Sequence, residues 1–398
     1  MELESVLHFL KGKTFLVTGA TGFIAKVFVE KILRVQPEVK RLYILLRAPN
    51  SYLATKRLHN EVIRKDLFRV LRDKWGADFG RFISEKLIAV AGDVSVESLG
   101  IKEEILKQEM FEEIDIVVHT AATTNFNERY MLSAYVCGKA MGLVPEELLT
   151  GLSTLNIELE KEMMEQKLNE LQVQNADEET IKSEMTMFGI QRANLHGWPN
   201  TYSFTKAMAE KLLANIMDFL PVIIIRPTVI LSTCSEPFPG WIEGVRNPFK
   251  LSNLQDIMYS YFSKNPWVNE DGKPVAIDKK IAYLSSMAEF VNRMKKRHVL
   301  PKDQVPGQSR RDVNTNNYGE IERVMRMAEL FQPYTFFQGI FHDKNAEELR
   351  MMAKSIADMD NGFNFNSKDM DWMDYMMNVH IPGLLKHSNK SVRNLAKL

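Results

Sequence analysis

A phenol and an ammonium four residues apart can act as an acid–base pair, because positions i and i+4 share one face of a helix. The cation lowers the phenol's pKa, and the phenol can then exchange a proton with a carbonyl oxygen. The chain holds this Tyr-x-x-x-Lys spacing at Tyr52/Lys56, at Tyr135/Lys139 and at Tyr202/Lys206. Flanking sequence separates them. Tyr52 comes before the third expected strand, early in the chain. Tyr135 runs into Cys137-Gly138, which breaks a helical register. Tyr202 opens a helical stretch to Met217, with Gly197-Trp-Pro-Asn-Thr201 ahead of it and an apolar run behind. Tyr202 and Lys206 are therefore the expected catalytic pair. Ser133, in Leu-Ser-Ala-Tyr-Val, is the hydroxyl expected to bind the substrate oxygen beside them, with a plain turn serine as the alternative.

A second constellation lies near the start, in Thr14-Phe-Leu-Val-Thr-Gly-Ala-Thr-Gly-Phe-Ile-Ala-Lys26. An apolar strand enters a glycine turn, and the turn opens a helix. Gly19, Gly22 and Ala25 stand three apart, where a backbone must bend sharply and admit a pyrophosphate. The helix, with Ile24, Phe28, Ile32 and Val35 on one face, aims N–H groups and a positive dipole end at that anion. Strand, glycines and helix in this order are the context a dinucleotide site requires. Thr18, Gly19, Thr21, Gly22, Phe23 and Ile24 are the expected cofactor contacts. The G-x-x-G-x-x-A spacing is that of short-chain reductases.

The residue after the second strand chooses the cofactor. NAD sites place a carboxylate there to grip the ribose hydroxyls; this chain has Arg47 in Leu-Leu-Arg-Ala-Pro. A guanidinium suits the 2′-phosphate of NADP(H), so NADPH is the expected cofactor. Asp93, ending the third strand, either reaches the adenine edge or serves as a turn aspartate.

The elements around these groups alternate. Arg41–Leu46, Lys86–Val94, Asp115–Ala122 and Pro221–Pro227 read as continuous apolar strands separated by helical segments, which implies a parallel sheet covered on both faces. Leu155–Met185 reads as a solvated helical excursion. Beyond Gly244 the rhythm gives way to helical stretches near Ile281–Lys296, Tyr318–Phe331 and Ala346–Met359. The expected architecture is a Rossmann-like, doubly wound α/β domain over 1–246 and a mainly helical domain over 247–398. At 398 residues, two domains are the natural reading. Lys+Arg equals Asp+Glu at 51 each, so no global field attracts nucleic acid or an anionic membrane. Cys137 and Cys234 make neither a disulfide framework nor a four-ligand zinc site, which fits a reducing compartment and no metal. The fingerprint starts too near Met1 for a cleavable leader ahead of it. Phe219–Arg226, the longest apolar cluster, is too short to span a bilayer and reads as a buried strand. The aromatic cluster Tyr334, Phe336, Phe337 and Phe341 reads as helix-core packing, ahead of an acyl-chain or membrane contact.

Thr18–Ala25, Leu45–Ala48, Ala91–Ser95, Ala121-Ala-Thr-Thr-Asn-Phe126, Ala134-Tyr-Val-Cys-Gly138, Gly197–Lys206 and Pro237-Phe-Pro-Gly-Trp-Ile-Glu-Gly244 together resemble the plant alcohol-forming fatty acyl-CoA reductases, related to the male-sterility proteins. Asn265-Pro-Trp267, Gln332-Pro-Tyr334, Gly339-Ile-Phe341 and His380-Ile-Pro-Gly383 resemble that family's second domain, so the likeness covers nearly the whole chain. It implies reduction of long-chain acyl-CoA by NADPH, through an aldehyde, to a primary alcohol for waxes and surface lipids. It also implies the proton-donor role for Tyr202, the ribose-holding role for Lys206 and the hydroxyl role for Ser133. The implied setting is cytoplasmic, at the endoplasmic reticulum surface, with peripheral membrane contact.

Two departures from the family pattern stand out. Between Tyr130 and Ser133 the family carries a further helix and strand, where this chain has only Met131-Leu132. A parallel neighbour for Asp115–Ala122 needs a crossover of a dozen or more residues, and eleven separate Ala122 from Ala134. After Gly244 the family has another sheet-and-helix segment, absent here. The alternative reading is therefore an NADP-binding relative impaired by internal deletions.

Overall fold

The computed structural model describes residues 6–121, 134–138, 140–147, 155–243, 254–268, 272–275, 284–298, 316–354, 363 and 370–387. The first part runs α1 (Val6–Leu10), β1 (Thr14–Thr18), α2 (Phe23–Val35), β2 (Arg41–Leu46), α3 (Ser51–Arg57), α4 (Arg69–Trp75), α5 (Phe79–Lys86), β3 (Leu87–Ala91), α6 (Glu104–Glu113) and β4 (Ile116–His119). Next come β5 (Gly142–Val144), α7 (Ile157–Val173), α8 (Glu178–Leu195) and α9 (Thr201–Ala214). The remainder holds α10 (Leu254–Lys264), β6 (Trp267–Val268), β7 (Pro274–Val275), α11 (Met287–His298), α12 (Asn316–Thr335), β8 (Gly339–Phe341), α13 (Lys344–Lys354), α14 (Trp372–Asp374) and α15 (Ile381–His387).

The main sheet is parallel in the order β3-β2-β1-β4. Strand residues point alternately to opposite faces, and in β1 and β2 both faces are buried, while edge strand β4 exposes Val117. Phe15, Val17, Leu42 and Ile44 join a core with Ala25, Val29 and Leu33 of α2. Leu16, Tyr43 and Leu45 pack on the other side with Val90 and with Met110 of α6. Helices on both faces of a parallel sheet make this the expected Rossmann-like, doubly wound α/β fold.

The buried side of α2 takes in charged residues: Phe23, Ala25, Lys26, Val29, Glu30, Ile32 and Leu33 are buried, while Ile24 is 39% exposed. The reason is a second covering layer. Lys26 pairs with Glu243 at 2.5 Å, Arg34 holds both Glu30 (2.9 Å) and Glu236 (2.7 Å), and Lys31 also reaches Glu236 (2.6 Å). Charged side chains can be buried when paired in this way.

One sequence expectation needs correction: Pro221–Pro227 is neither a strand nor buried. It pairs in no ladder, with Ile223 88% and Ile225 71% exposed. Its exposure alternates along the chain as in a strand lying on a surface. Among the described residues no strand lies beyond β4 to receive it. Arg226 ties the segment to α9 through Glu210, at 2.9 Å from Nε and 2.5 Å from Nη2.

The Leu155–Met185 excursion resolves into α7 and α8, joined across a turn with Asn175 at φ 52°. Glu160 of α7 accepts from Arg192 at 2.8 and 2.5 Å and lies 2.8 Å from the His196 ring. The C-terminal part is helical as expected, and β8 pairs in parallel with β5. The proposed domain junction at 246–247 lies outside the described residues. In the aromatic cluster Tyr334 and Phe337 are buried, Phe337 stacks on Phe341 at 5.1 Å, and Phe336 is 41% exposed.

Candidate active site

In a doubly wound sheet, ligands bind outside the carboxyl ends of the strands where the strand order reverses. That place here is the crevice between β1 and β4. Thr18 ends β1, His119 ends β4, and the two are register partners with Thr18 Oγ1 2.9 Å from His119 Nδ1. The Thr120 hydroxyl donates to the Thr18 carbonyl at 2.8 Å.

Gly19 then turns the chain at φ 72°, and a Cβ there would stand 2.5 Å from the Ala121 backbone. Only glycine fits this close approach. The Gly22 N–H donates to the Gly19 carbonyl at 2.8 Å and closes the turn. Gly22 is the N-cap of α2 and supplies no side-chain cap, whereas asparagine or aspartate side chains cap α3, α7, α8 and α9. The first-turn N–H groups of a helix have no intrahelical acceptor. A glycine cap keeps that dipole end clear for an anion, so these residues fit a dinucleotide pyrophosphate. Thr21 is half-buried, Gly22 and Ile24 are exposed, and Phe23 is buried against Trp241.

Arg47 follows β2 and is exposed. Asp93 accepts from the Ser95 N–H at 2.9 Å and the Ser95 hydroxyl at 2.8 Å. Those bonds, and the charge of Arg47, hold its carboxyl below the usual range. Asp93 is thus engaged as a turn aspartate, with Arg47 within electrostatic reach.

Tyr202 and Lys206 stand on α9, 8% and 3% exposed. The helix starts cleanly because Asn200 Oδ1 accepts from the Ser203 N–H at 2.9 Å. Burial brings the Lys206 ammonium down to about 7. His119 is held below its ordinary value by desolvation first, and then by the charge of Lys206. Of the other Tyr-x-x-x-Lys pairs, Tyr52 is 75% exposed on α3. Tyr135 falls in a short 3-10 turn, Ala134–Cys137, that ends at Gly138 with φ 66°, and Lys139 lies outside the described residues.

Ser133 also lies outside the described residues. The turn following it is held at the start of α9, where Trp198 Nε1 donates to the Val136 carbonyl at 2.7 Å. Sequence reasoning missed His119, Asn200, Trp241 and Tyr334. A polar residue closing the apolar run of β4, and an asparagine two positions ahead of a helical tyrosine, were the available signals for the first two. No group of acidic, histidine or cysteine side chains able to hold a metal occurs among the described residues.

Two family signatures, each described as male sterility protein, match residues 17–268 and 311–391 respectively. The chain is 40% identical over 493 residues to "Probable fatty acyl-CoA reductase 4" of Arabidopsis thaliana, covering 96% of this chain and 99% of the relative. It is 38% identical to the "Alcohol-forming fatty acyl-CoA reductase" of Simmondsia chinensis, covering 97% and 99%. An alignment of 493 residues against 96% of a 398-residue chain leaves on the order of a hundred positions of the Arabidopsis relative without a counterpart here, and these are internal. Among solved structures, the terminal R domain of the myxalamid PKS-NRPS pathway matches with a TM-score of 0.37 at 20% identity, over 56% of this chain and 50% of that one. The chain belongs to the male sterility protein family, alongside the plant fatty acyl-CoA reductases.

Proposed function

We propose that this chain reduces long-chain fatty acyl-CoA with NADPH, through an aldehyde, to a primary alcohol of the kind used in waxes and surface lipids. The observation that carries this reading is the glycine turn beside Thr18, whose close approach to Ala121 and uncapped α2 start leave room for an anion at the β1/β4 crevice. The bound cofactor would supply hydride. Thr18, Gly19, Thr21, Gly22, Phe23 and Ile24 would hold it, with Arg47 at the 2′-phosphate and Asp93 at the turn beside it. Tyr202 gives a proton to the oxygen as negative charge develops there, and Lys206 keeps the phenol acidic and grips the ribose. Ser133 binds the same oxygen. The acyl-CoA family of the relatives supports the substrate class. A cytoplasmic location at the endoplasmic reticulum surface belongs to the same reading, as does the division into 1–246 and 247–398. No helix among the described residues is long and apolar enough to cross a membrane.

The test is the purified protein with NADPH and a series of acyl-CoAs, analysed for aldehyde and alcohol. Tyr202→Phe should lower turnover by on the order of a hundredfold with little change in NADPH affinity, a loss confined to the transition state. Tyr52→Phe and Tyr135→Phe should leave turnover near wild type. Collapse in either of these, with Tyr202→Phe unaffected, sinks the assignment.

A second reading has its own support. The unladdered, exposed run Pro221–Pro227 and the internal shortfall against the relatives favour a protein that binds NADP(H) without efficient turnover. It predicts thermal stabilisation by NADPH and no product.

A further inference from the structure

The cap of the catalytic helix is itself held from the C-terminal part of the chain. Asn200 is an amide with two distinct ends. Its Oδ1 accepts from the Ser203 N–H at 2.9 Å and lies 3.0 Å from Ser203 Oγ. Its Nδ2 donates to the hydroxyl of Tyr334, near the end of α12, at 3.1 Å. Asn200 and Tyr334 are 7% and 6% exposed, and Ser203 is fully buried. An amide that reversed would aim a donor at the Ser203 N–H and leave a buried clash of like groups. The Ser203 N–H, which can only donate, therefore fixes the orientation in which Asn200 caps α9, two residues ahead of Tyr202 and six ahead of Lys206, and the Tyr334 hydroxyl anchors the other end of that amide.

We propose that Tyr334 is a positioning residue for the reaction: through Asn200 it fixes the first turn of α9, and so the places of Tyr202 and Lys206 against the bound cofactor. This rests on the reading of Tyr202 and Lys206 given above. The physical basis is tolerance. Catalytic groups must be held to about half an ångström, and a helix start pinned by one buried bond can shift by that much when the bond is lost. Tyr334 touches neither substrate nor reacting atoms in this account.

The test reads NADPH affinity by fluorescence titration, alongside thermal melting, so it stands apart from turnover. Tyr334→Phe keeps the ring and removes the hydroxyl. It should weaken NADPH binding by roughly three- to tenfold, the size of one misplaced charge-assisted contact. Asn200→Ser still caps the helix but is too short to reach Tyr334, and it should weaken NADPH to the same extent. In a Lys206→Met background, Tyr334→Phe should have no further effect, because the residue it acts through is gone. A merely structural tyrosine would lower the melting temperature and leave NADPH affinity untouched. Unchanged affinity in either single variant, or an undiminished effect in the Lys206→Met background, overturns the proposal. Wild-type affinity in Lys206→Met alone removes Lys206 from the cofactor site, and the proposal falls with that reading.

Discussion

Trp241 lies flat on Phe23, the first residue of the dinucleotide helix, with ring centroids 4.9 Å apart and planes 10° apart. Both rings are buried, and the Trp241 N–H of the backbone donates to Thr233 Oγ1 at 2.8 Å. The loop between residues 232 and 243 is thereby fastened to α2 by a stacked pair in addition to its ion pairs with Lys26, Lys31 and Arg34. Trp241→Ala should therefore destabilise the fold by about 3–5 kcal/mol, the usual cost of truncating a buried aromatic. Chemical denaturation measures it. A loss below about 1 kcal/mol would mean that the stack contributes little to the native state.

Lys206 gives the chain a pH-dependent stability of known sign. Its folded-state pKa is lowered from 10.5 to about 7 by burial, so the folded form sheds its proton first. Below about pH 7 both states carry the charge and the whole burial cost is present. Stability contributed by this group then rises with pH through the window from about 7 to 10.5, above which both states are neutral. Lys206→Met removes the effect. It should raise the melting temperature most at or below neutral pH, with the gain shrinking as pH approaches 10. An advantage that grows with pH would contradict the lowered pKa of the buried lysine.

Arg47 should set the coenzyme preference. A guanidinium facing a 2′-phosphate forms charge-assisted bonds, and tenfold selectivity needs only about 1.4 kcal/mol. NADPH should bind at least about tenfold more tightly than NADH, and Arg47→Asp should erase or reverse that order. Titration of the two nucleotides against wild type and variant decides it. Indifference in the wild type would remove Arg47 from the site.

How much of this was legible in the sequence depends on how local each signal is. β1, β2 and the turn at Gly19 came through because apolar runs and a glycine triplet are read within a dozen residues. The same holds for the helix α9, read from a contiguous stretch, although its cap Asn200 was not. The buried side of α2 did not come through, because Lys26 and Glu30 are admitted to the interior by Glu243 and Arg34, and Glu243 lies 217 positions from Lys26. Tyr334 was read as core packing, and it is buried; its bond to Asn200 joins residues 134 positions apart, which no local pattern reveals. Pro221–Pro227 has the composition of an interior strand and lacks a neighbour to pair with, so local propensity was overruled by a missing ladder.

That missing ladder yields the last prediction. Ile223 is 88% exposed, and an exposed side chain away from caps and ion pairs tolerates replacement within about 0.5 kcal/mol. Ile223→Lys should therefore leave stability almost unchanged and improve solubility, since it removes an apolar group from a run that also exposes Phe219, Leu220 and Ile225. Ile44→Lys is the contrast: Ile44 is fully buried in β2, and a lysine there should prevent folding. Next, a helix and a strand of the kind the family carries would be inserted at Met131. With a partner strand restored, Pro221–Pro227 can enter the sheet, and residue 223 would then face packed side chains. In that lengthened chain Ile223→Lys should cost more than about 2 kcal/mol, as for other charges placed in cores, and the insertion by itself should raise stability and turnover. Denaturation of the four proteins, with and without the insertion and the substitution, measures this coupling. Equal cost of Ile223→Lys in both backgrounds would show that the inserted segment does not recruit the run, and that its exposure has another cause.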